Sequence, residues 1–404
     1  MIPWIDKSTK GKDMNEVVVV AAKRSAVGSF LGSLKSVGAR EMGAVVLKDA
    51  LKASGLKPSD VDSVILGNVL SAGLGQNIAR QIQLDAGIPN DRNAFSVNMV
   101  CGSSMKAIQL AHDSIMLGHG EVVVCGGVEN MSAAPYLSFD MRDGKRMGNA
   151  NMIDSMIHDG LWDAFNDYHM GITADNVAQA YHISREEQDA FALQSQLKTR
   201  AAINAGKFQE EITPIEIANK KGVVVFKEDE YPRETTLESL AKLKPAFKKD
   251  GSVTAGNSSG INDGASIIIL CSAQKAQKLG LKTMATIKGF GLGGCSPDIM
   301  GICPSIAIRN NLKNVKMNLN DINLFELNEA FAAQSIAVLK ELELNPNIVN
   351  VNGGAIAIGH PIGASGARIL VTLLHEMKKS GHGVGCASLC VGGGQGLSVV
   401  VEQK

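Results

Sequence analysis

The chain has 404 residues, 45% hydrophobic and 20% charged, with 40 basic and 40 acidic side chains and a formal net charge of zero. That is enough apolar material for roughly two or three domains. It leaves no electrostatic footprint for general nucleic-acid or membrane-surface binding, and no apolar run reaches the length of a membrane span. Seven cysteines without a C-x-x-C, and eight histidines without an H-E-x-x-H, read as reduced thiols in a cytoplasmic protein with no metal site.

Met1 to Asp13 carries charges but no apolar stretch of the signal-peptide kind, and Met14 reads as the start of the fold. A strand from Glu16 to Ala22, a helix from Arg40 to Ala53 and a strand from Val64 to Asn68 follow. The strand Ala94 to Asn98 then runs into a Gly/Ser corner and a helix with Met105, Ile108 and Ile115 on one face. This spacing places Cys101 in the first turn of that helix, where free N–H groups favour a thiolate and a sharp corner exposes one side chain. A lone cysteine is more often a small core residue. The strand Glu121 to Cys125 leads into Gly126-Gly127.

From about Ala133 to Ala255 the chain is more polar. Ser184-Arg185-Glu186-Glu187 predicts a capped helix start, continuing to about Ala205 and ending at Gly206. Arg142, Lys145 and Arg146 read either as a solvated turn or as a local attraction for phosphates. Ser258 to Gly264 reads as a turn before the strand Ala265 to Cys271. Gly289-Phe290-Gly291-Leu292-Gly293-Gly294 matches G-x-G-x-x-G, but the turn-like Cys295-Ser296-Pro297-Asp298 follows in place of a helix. It therefore reads as a flexible turn and not as a dinucleotide site.

Three further corners hold reactive or polar side chains beside glycines. Asn328 ends Leu324-Phe325-Glu326-Leu327. His360 sits in Gly359-His360-Pro361 after a strand ending near Gly353, with a helix from Ser365. Cys390 follows the run Val384 to Leu389 and precedes Gly392-Gly393-Gly394. Two cysteines, a histidine and an asparagine in such places suit acyl transfer through a thioester, with glycine N–H groups as an oxyanion hole. For Asn328 alone, a helix N-cap is the competing role. The strand ends at Asn68 and Asn328 are 328 − 68 = 260 residues apart, and the corners at Cys101 and Gly363 are 363 − 101 = 262 apart. A steady offset indicates a duplicated unit, and alternating strands and helices indicate layered α/β.

In these stretches, in order and over nearly the whole chain, the sequence resembles the thiolase family. Gly126 to Ser132, Asn328-Glu329-Ala330-Phe331 and Gly363-Ala364-Ser365-Gly366 share in the match. Tyr168-His169-Met170-Gly171 points to the short-chain biosynthetic members. The resemblance implies a thiolase-like αβαβα fold of two similar halves, 1–132 completed by 256–282 and 283–404, with a loop domain at 133–255 inserted over the site. It implies condensation of two acetyl-CoA to acetoacetyl-CoA and CoA in a cytoplasmic homotetramer, a dimer of dimers. No cofactor beyond the CoA thioester substrates is expected. Cys101 would be acetylated, His360 would take its proton, and Cys390 would remove the α-proton. Asn328 would hold a water, and the N–H groups of Cys101 and Gly392 would hold the acetyl oxygen. Leu161, His169, Met170, Arg233, Ser259 and Phe331 would contact the CoA thioester, and the loop with Arg142 would join subunits. Ser104 stands where the family usually has Gly, and Cys303-Pro304 where it more often has Gly-Pro. A broader-range 3-ketoacyl-CoA thiolase and a non-catalytic acyl-CoA-binding relative stay open. A β-ketoacyl synthase would need a second active-site histidine where this chain offers Asn328 and Cys390.

Overall fold

The computed structural model describes residues 16–220 and 222–403. The segment read as preceding the fold, 1–13, and Met14 lie outside these. In the first half the strands are β1 (Val17–Ser25), β2 (Ser63–Gly67), β3 (Asn93–Val97), β4 (Val122–Asn130) and β5 (Asn262–Ser272). The second half supplies β6 (Ala285–Gly294), β7 (Leu324–Leu327), β8 (Val384–Val391) and β9 (Gln395–Glu402). They pair in the order β7-β8-β9-β6-β1-β5-β4-β2-β3. Within the sheet the two halves pair through β1 and β6, at Val18↔Thr286 and Val19↔Ala285. Within each half the scheme repeats: β2 runs parallel to β4 as β7 does to β8, and a long antiparallel strand follows. The 260-residue offset is therefore a topological repeat.

Alternation along the strands divides the core into layers. Val18, Val20, Val64 and Leu66 face α1 (Ala39–Ser54) and α2 (Ile78–Asp85). Val17, Val19 and Ile65 face the opposite way, onto α3 (Ser103–Met116), as Met105, Ile108 and Ile115 do from the helix. The inserted segment carries α4 (Met170–Ala180) and α5 (Arg185–Asn204), and the second half carries α6 (Cys303–Val315), α7 (Ala332–Leu342) and α8 (Ser365–Ser380). Ile369 and Leu370 of α8 share the central layer with α3, and Leu389 and Leu397 close it from the second half. Phe325 and Leu327 pack the other way, against Ile308, Leu312, Ala337 and Val338 of α6 and α7. The result is helices, strands, a central helix pair, strands and helices. The two central helices both begin at the site.

Helix α5 starts where the capping box predicts: Ser184 accepts from Glu187 N–H, and Glu187 returns to Ser184 N–H. It ends before Gly206 at φ 67°. Arg24 of β1, fully buried, binds Glu211 and Asp229 and ties the insertion to the first half.

Three expectations are corrected. Gly289 to Gly294 is no turn; it lies in β6, paired with β9. A Cβ at Gly291 would come 2.1 Å from Ala307 O, and one at Gly293 2.8 Å from Ala307 N. These alternate glycines let α6 lie close on the strand. The cysteines are not all reduced: Cys295, leaving β6, is disulfide-bonded to Cys303, the first residue of α6, with Cα atoms 6.2 Å apart. The helix folds straight back over the strand end, which brings the two thiols together. The other five cysteines are free. The stretch before Gly353 is also not a strand; it meets the sheet through the bridge Phe325↔Val349 and through Asn350, whose side chain accepts from Leu327 N–H and donates to Leu327 O. Among the described residues no helix is long and apolar enough to cross a membrane.

Candidate active site

Cys101 lies just before α3, whose N-cap is Gly102, and so one position outside the first turn expected for it. Val100 takes a left-handed φ of 46°. This conformation is costly for a β-branched residue and needs support from its surroundings. Ser103 supplies it: its hydroxyl donates to Val100 O at 2.6 Å and accepts from Met99 N–H at 2.9 Å. The corner therefore turns Cys101 outward. On the facing side, Gly359 has φ 113°, and a Cβ there would lie 2.6 Å from the Asn262 side chain. That close approach lets Asn262 Oδ1 accept from His360 N–H at 2.9 Å. Cys390 is the penultimate residue of β8. Gly392 opens the turn into β9, with Gly393 and Gly394 at φ 87° and 82°.

Cys101, His360, Cys390 and Gly392 share the wall of one cavity of about 290 Å³. Leu161, His169, Met170, Ser259 and Phe331 line it too. Two candidates do not. Asn328 lies behind His360, with its Nδ2 3.4 Å from Nδ1. It is not the cap of α7, a place held by Phe331. Arg233 does not line the cavity; its guanidinium stacks on the lining residue Tyr231, 5.3 Å from the ring centroid, and donates to Ala255 O. Phe247 went unread in the sequence because nothing marks an aromatic in the lysine-rich stretch around it. It stacks on His169 at 4.5 Å and meets Phe331 edge-on at 6.2 Å.

The electrostatics reverse one expectation. Burial pushes the Cys101 thiol up to about 11, although the N–H of Gly392 and its own N–H point at the sulfur and pull the other way. Desolvation outweighs the dipoles, so the resting group is a thiol and not a thiolate. Burial, and behind it the Arg368 charge, pushes His360 down to about 3, so its imidazole is neutral. The Ser365 hydroxyl donates to Pro361 O at 2.8 Å, and its oxygen stands 2.6 Å from His360 Nδ1. With its one proton spent on Pro361, that oxygen accepts from Nδ1–H and leaves Nε2 with a free lone pair. His360 Nε2 and Asn328 Oδ1 are both buried and have no protein partner. Buried polar atoms of this kind await water or a bound molecule. Cys390 is pushed up by burial and further by the neighbouring Cys101.

Glu129 joins the end of β2 to the corner after His360. Its carboxylate accepts from Asn68 Nδ2, from the N–H groups of Val69 and Leu70, and from Gly363 N–H across the halves, at 2.9 to 3.1 Å. Burial nevertheless pushes it up to about 7. A Cβ at Gly127 would lie 2.2 Å from Gly363 O, and one at Gly126 2.0 Å from Ser266 O, which explains the paired glycines before Glu129.

Sequence comparison decides the family. The model of the thiolase N-terminal domain matches residues 17–274, and that of the thiolase C-terminal domain matches 281–403. The chain belongs to the thiolase family. It is 56% identical over 392 residues to an acetyl-CoA acetyltransferase of Pseudomonas aeruginosa, covering 96% of this chain and all of that one. Its fold is similar to the crystal structure of the Bacillus anthracis acetyl-CoA acetyltransferase, with TM-score 0.94, 47% identity and coverage of 96% and 99%. Human mitochondrial 3-ketoacyl-CoA thiolase matches with TM-score 0.94 and 44% identity over 97% of this chain and 100% of that one. The thiolase fold expected from the sequence is the fold observed.

As a thiolase, this chain departs from the usual pattern at Ser104 without crowding the cavity. Ser104 does not line it; its hydroxyl turns to α8 and accepts from Ala367 N–H at 2.9 Å.

Proposed function

We propose that this thiolase is an acetyl-CoA C-acetyltransferase, joining two acetyl-CoA into acetoacetyl-CoA plus CoA and running the thiolysis in reverse. The carrying observation is the meeting of Cys101, Cys390 and His360 on one cavity, with the Gly392 N–H aimed at the Cys101 sulfur. In this reading Cys101 attacks the thioester carbonyl of acetyl-CoA while its proton passes to His360 Nε2. CoA leaves with that proton, and the N–H groups of Cys101 and Gly392 hold the acetyl oxygen. A second acetyl-CoA binds; Cys390 passes its own proton to His360 Nε2 and, as a thiolate, takes the α-proton. His360 and a water on Asn328 Oδ1 hold the enolate oxygen. The carbanion attacks the acetyl carbon and expels the Cys101 thiolate, which recovers the proton held by His360. Two thiols are needed because an acylated Cys101 cannot also carry the proton. CoA thioesters enter as substrates and no resident cofactor takes part. Leu161, Ser259 and Phe331 flank the pantetheine arm, and Arg233, stacked on Tyr231, faces the adenine end.

Two tests follow here. A thiol with a neutral base transfers its proton in concert with attack, so acylation should be independent of pH between the two shifted values. Below the lowered His360 value the base is protonated and the rate falls; above the raised Cys101 value a thiolate forms without the base. Single-turnover acetylation should therefore be flat from about pH 5 to 9, without an inflection at the ordinary histidine value of about 6.5. An inflection there would remove His360 from the role. Second, His169, Met170 and Phe247 close the acyl end of a small cavity. Thiolysis followed by absorbance should be fast on acetoacetyl-CoA and much slower on 3-ketoacyl-CoA of about eight carbons or more, through steric blocking and not lost contacts. Equal kcat/KM would favour the broader-range reading.

We also read the protein as a cytoplasmic homotetramer, a dimer of dimers. Tyr136, Phe139, Met141, Met147 and Met152 are exposed together along one loop, and Phe95 is exposed on the edge strand β3. Light scattering should return the mass of four chains.

A further inference from the structure

The two central helices start at the two catalytic corners, and their caps differ. Helix α8 has no side-chain cap of its own: Ala364, at its N-cap, makes no such bond. Its first-turn amide at Ala367 donates instead to Ser104, in the first turn of α3 and 263 residues away. The duplication shows that the arrangement is one-way. The counterpart of Ser104 is Gly366, since 366 − 104 = 262, and it has no hydroxyl to return. A Cβ at Gly366 would lie 2.7 Å from Met105 N, so the helix starts touch there through backbone. Ser104 is fully buried, and a Cβ at Gly127 would sit 2.8 Å from its own. Three residues before Ser104 is Cys101. Two residues before Ala367 is Ser365, which holds His360 Nδ1.

We propose that Ser104 is a positioning residue for acyl transfer: it caps α8 from the other half of the molecule and so fixes the Ser365–His360 pair against Cys101. It touches no substrate, and this rests on the roles given above to Cys101 and His360. First-turn amides need an acceptor, and a cap is normally local. Here the acceptor belongs to the nucleophile's helix, so the cap bond sets the distance between nucleophile and base as well as satisfying the amide. A small shift of a base relative to its nucleophile slows reaction without weakening substrate binding.

The test uses the whole enzyme, with Ser104→Ala and Ser104→Gly compared in single-turnover acetylation by acetyl-CoA at a temperature where all variants are folded. Alanine keeps the Cβ, leaves no room for water and strands Ala367 N–H. Glycine vacates space into which a water can step. The expected order of acylation rate is Ser, then Gly, then Ala. Ala should be slower than wild type by about tenfold and Gly by about threefold, with KM for acetyl-CoA within about twofold. Helix propensity alone gives the opposite order, because alanine outranks glycine. In a Ser365→Ala background, Ser104→Ala should add less than about twofold, because the element it positions is already gone. Ala at least as fast as Gly, a deficit confined to KM, or full additivity with Ser365→Ala would overturn the proposal. If Ser104→Ala does not fold, Ser104→Gly decides: wild-type acylation in that variant overturns it. Failure of the Cys101 assignment is separately visible, since wild-type enzyme would then carry no acetyl group on Cys101.

Discussion

Cys101→Ala is expected to lose condensation and thiolysis together, by at least about four orders of magnitude, because every turnover passes through the sulfur it removes. The loss should fall on kcat. The acyl cavity is built largely from Leu161, His169, Met170, Ser259 and Phe331, which the substitution leaves in place, so CoA thioesters should still bind. The fold should hold as well. The corner that displays Cys101 is latched by Ser103 and not by the sulfur. A change in unfolding free energy within about 1 kcal/mol is expected, as for a small side chain outside the dense core. Steady-state assays in both directions with thermal unfolding check this. Retention of either direction would mean that acyl transfer does not go through Cys101.

Cys390→Ala should separate the two half-reactions. Acetylation of Cys101 needs His360 and the two N–H groups, none of which is lost. Carbon–carbon bond formation and cleavage need a group that gives or takes the α-proton, and its removal costs about two to four orders of magnitude. The coupling between the sulfurs gives the order of events. A charged Cys101 would raise the cost of ionising Cys390; as a thioester Cys101 cannot become charged, so Cys390 ionises with no thiolate beside it. Burst kinetics should show an acetylation phase close to wild type in rate, followed by a stalled condensation. Condensation within about tenfold of wild type would place the base elsewhere.

The corners that line the cavity are legible in the sequence because each combines a reactive side chain with glycines that have a specific task. Gly359 needs its positive φ and its contact with Asn262, and Gly127 must pass Gly363 O. Helix α5 was equally readable, since the capping box and Gly206 are local signals. What escaped depends on contacts between distant segments. Phe247 reaches His169 across about eighty residues, and Cys295 meets Cys303 only because α6 doubles back. The glycines of β6 imitate a loop motif but serve helix packing, a distinction set by Ala307 on a later element. The protonation of Cys101 is set by distant contacts in the same way. The helix start that favours a thiolate is local, whereas the burial that outweighs it comes from both halves and the inserted segment.

The most direct measurement is peptide mapping by mass spectrometry after brief exposure of the Cys390→Ala variant to acetyl-CoA. That variant should form the covalent intermediate and be unable to consume it. One acetyl group per chain is predicted, on the peptide containing Cys101, discharged by added CoA with regeneration of acetyl-CoA. An unmodified Cys101 peptide, or acetyl found on another residue while Cys101 stays free, would contradict the account.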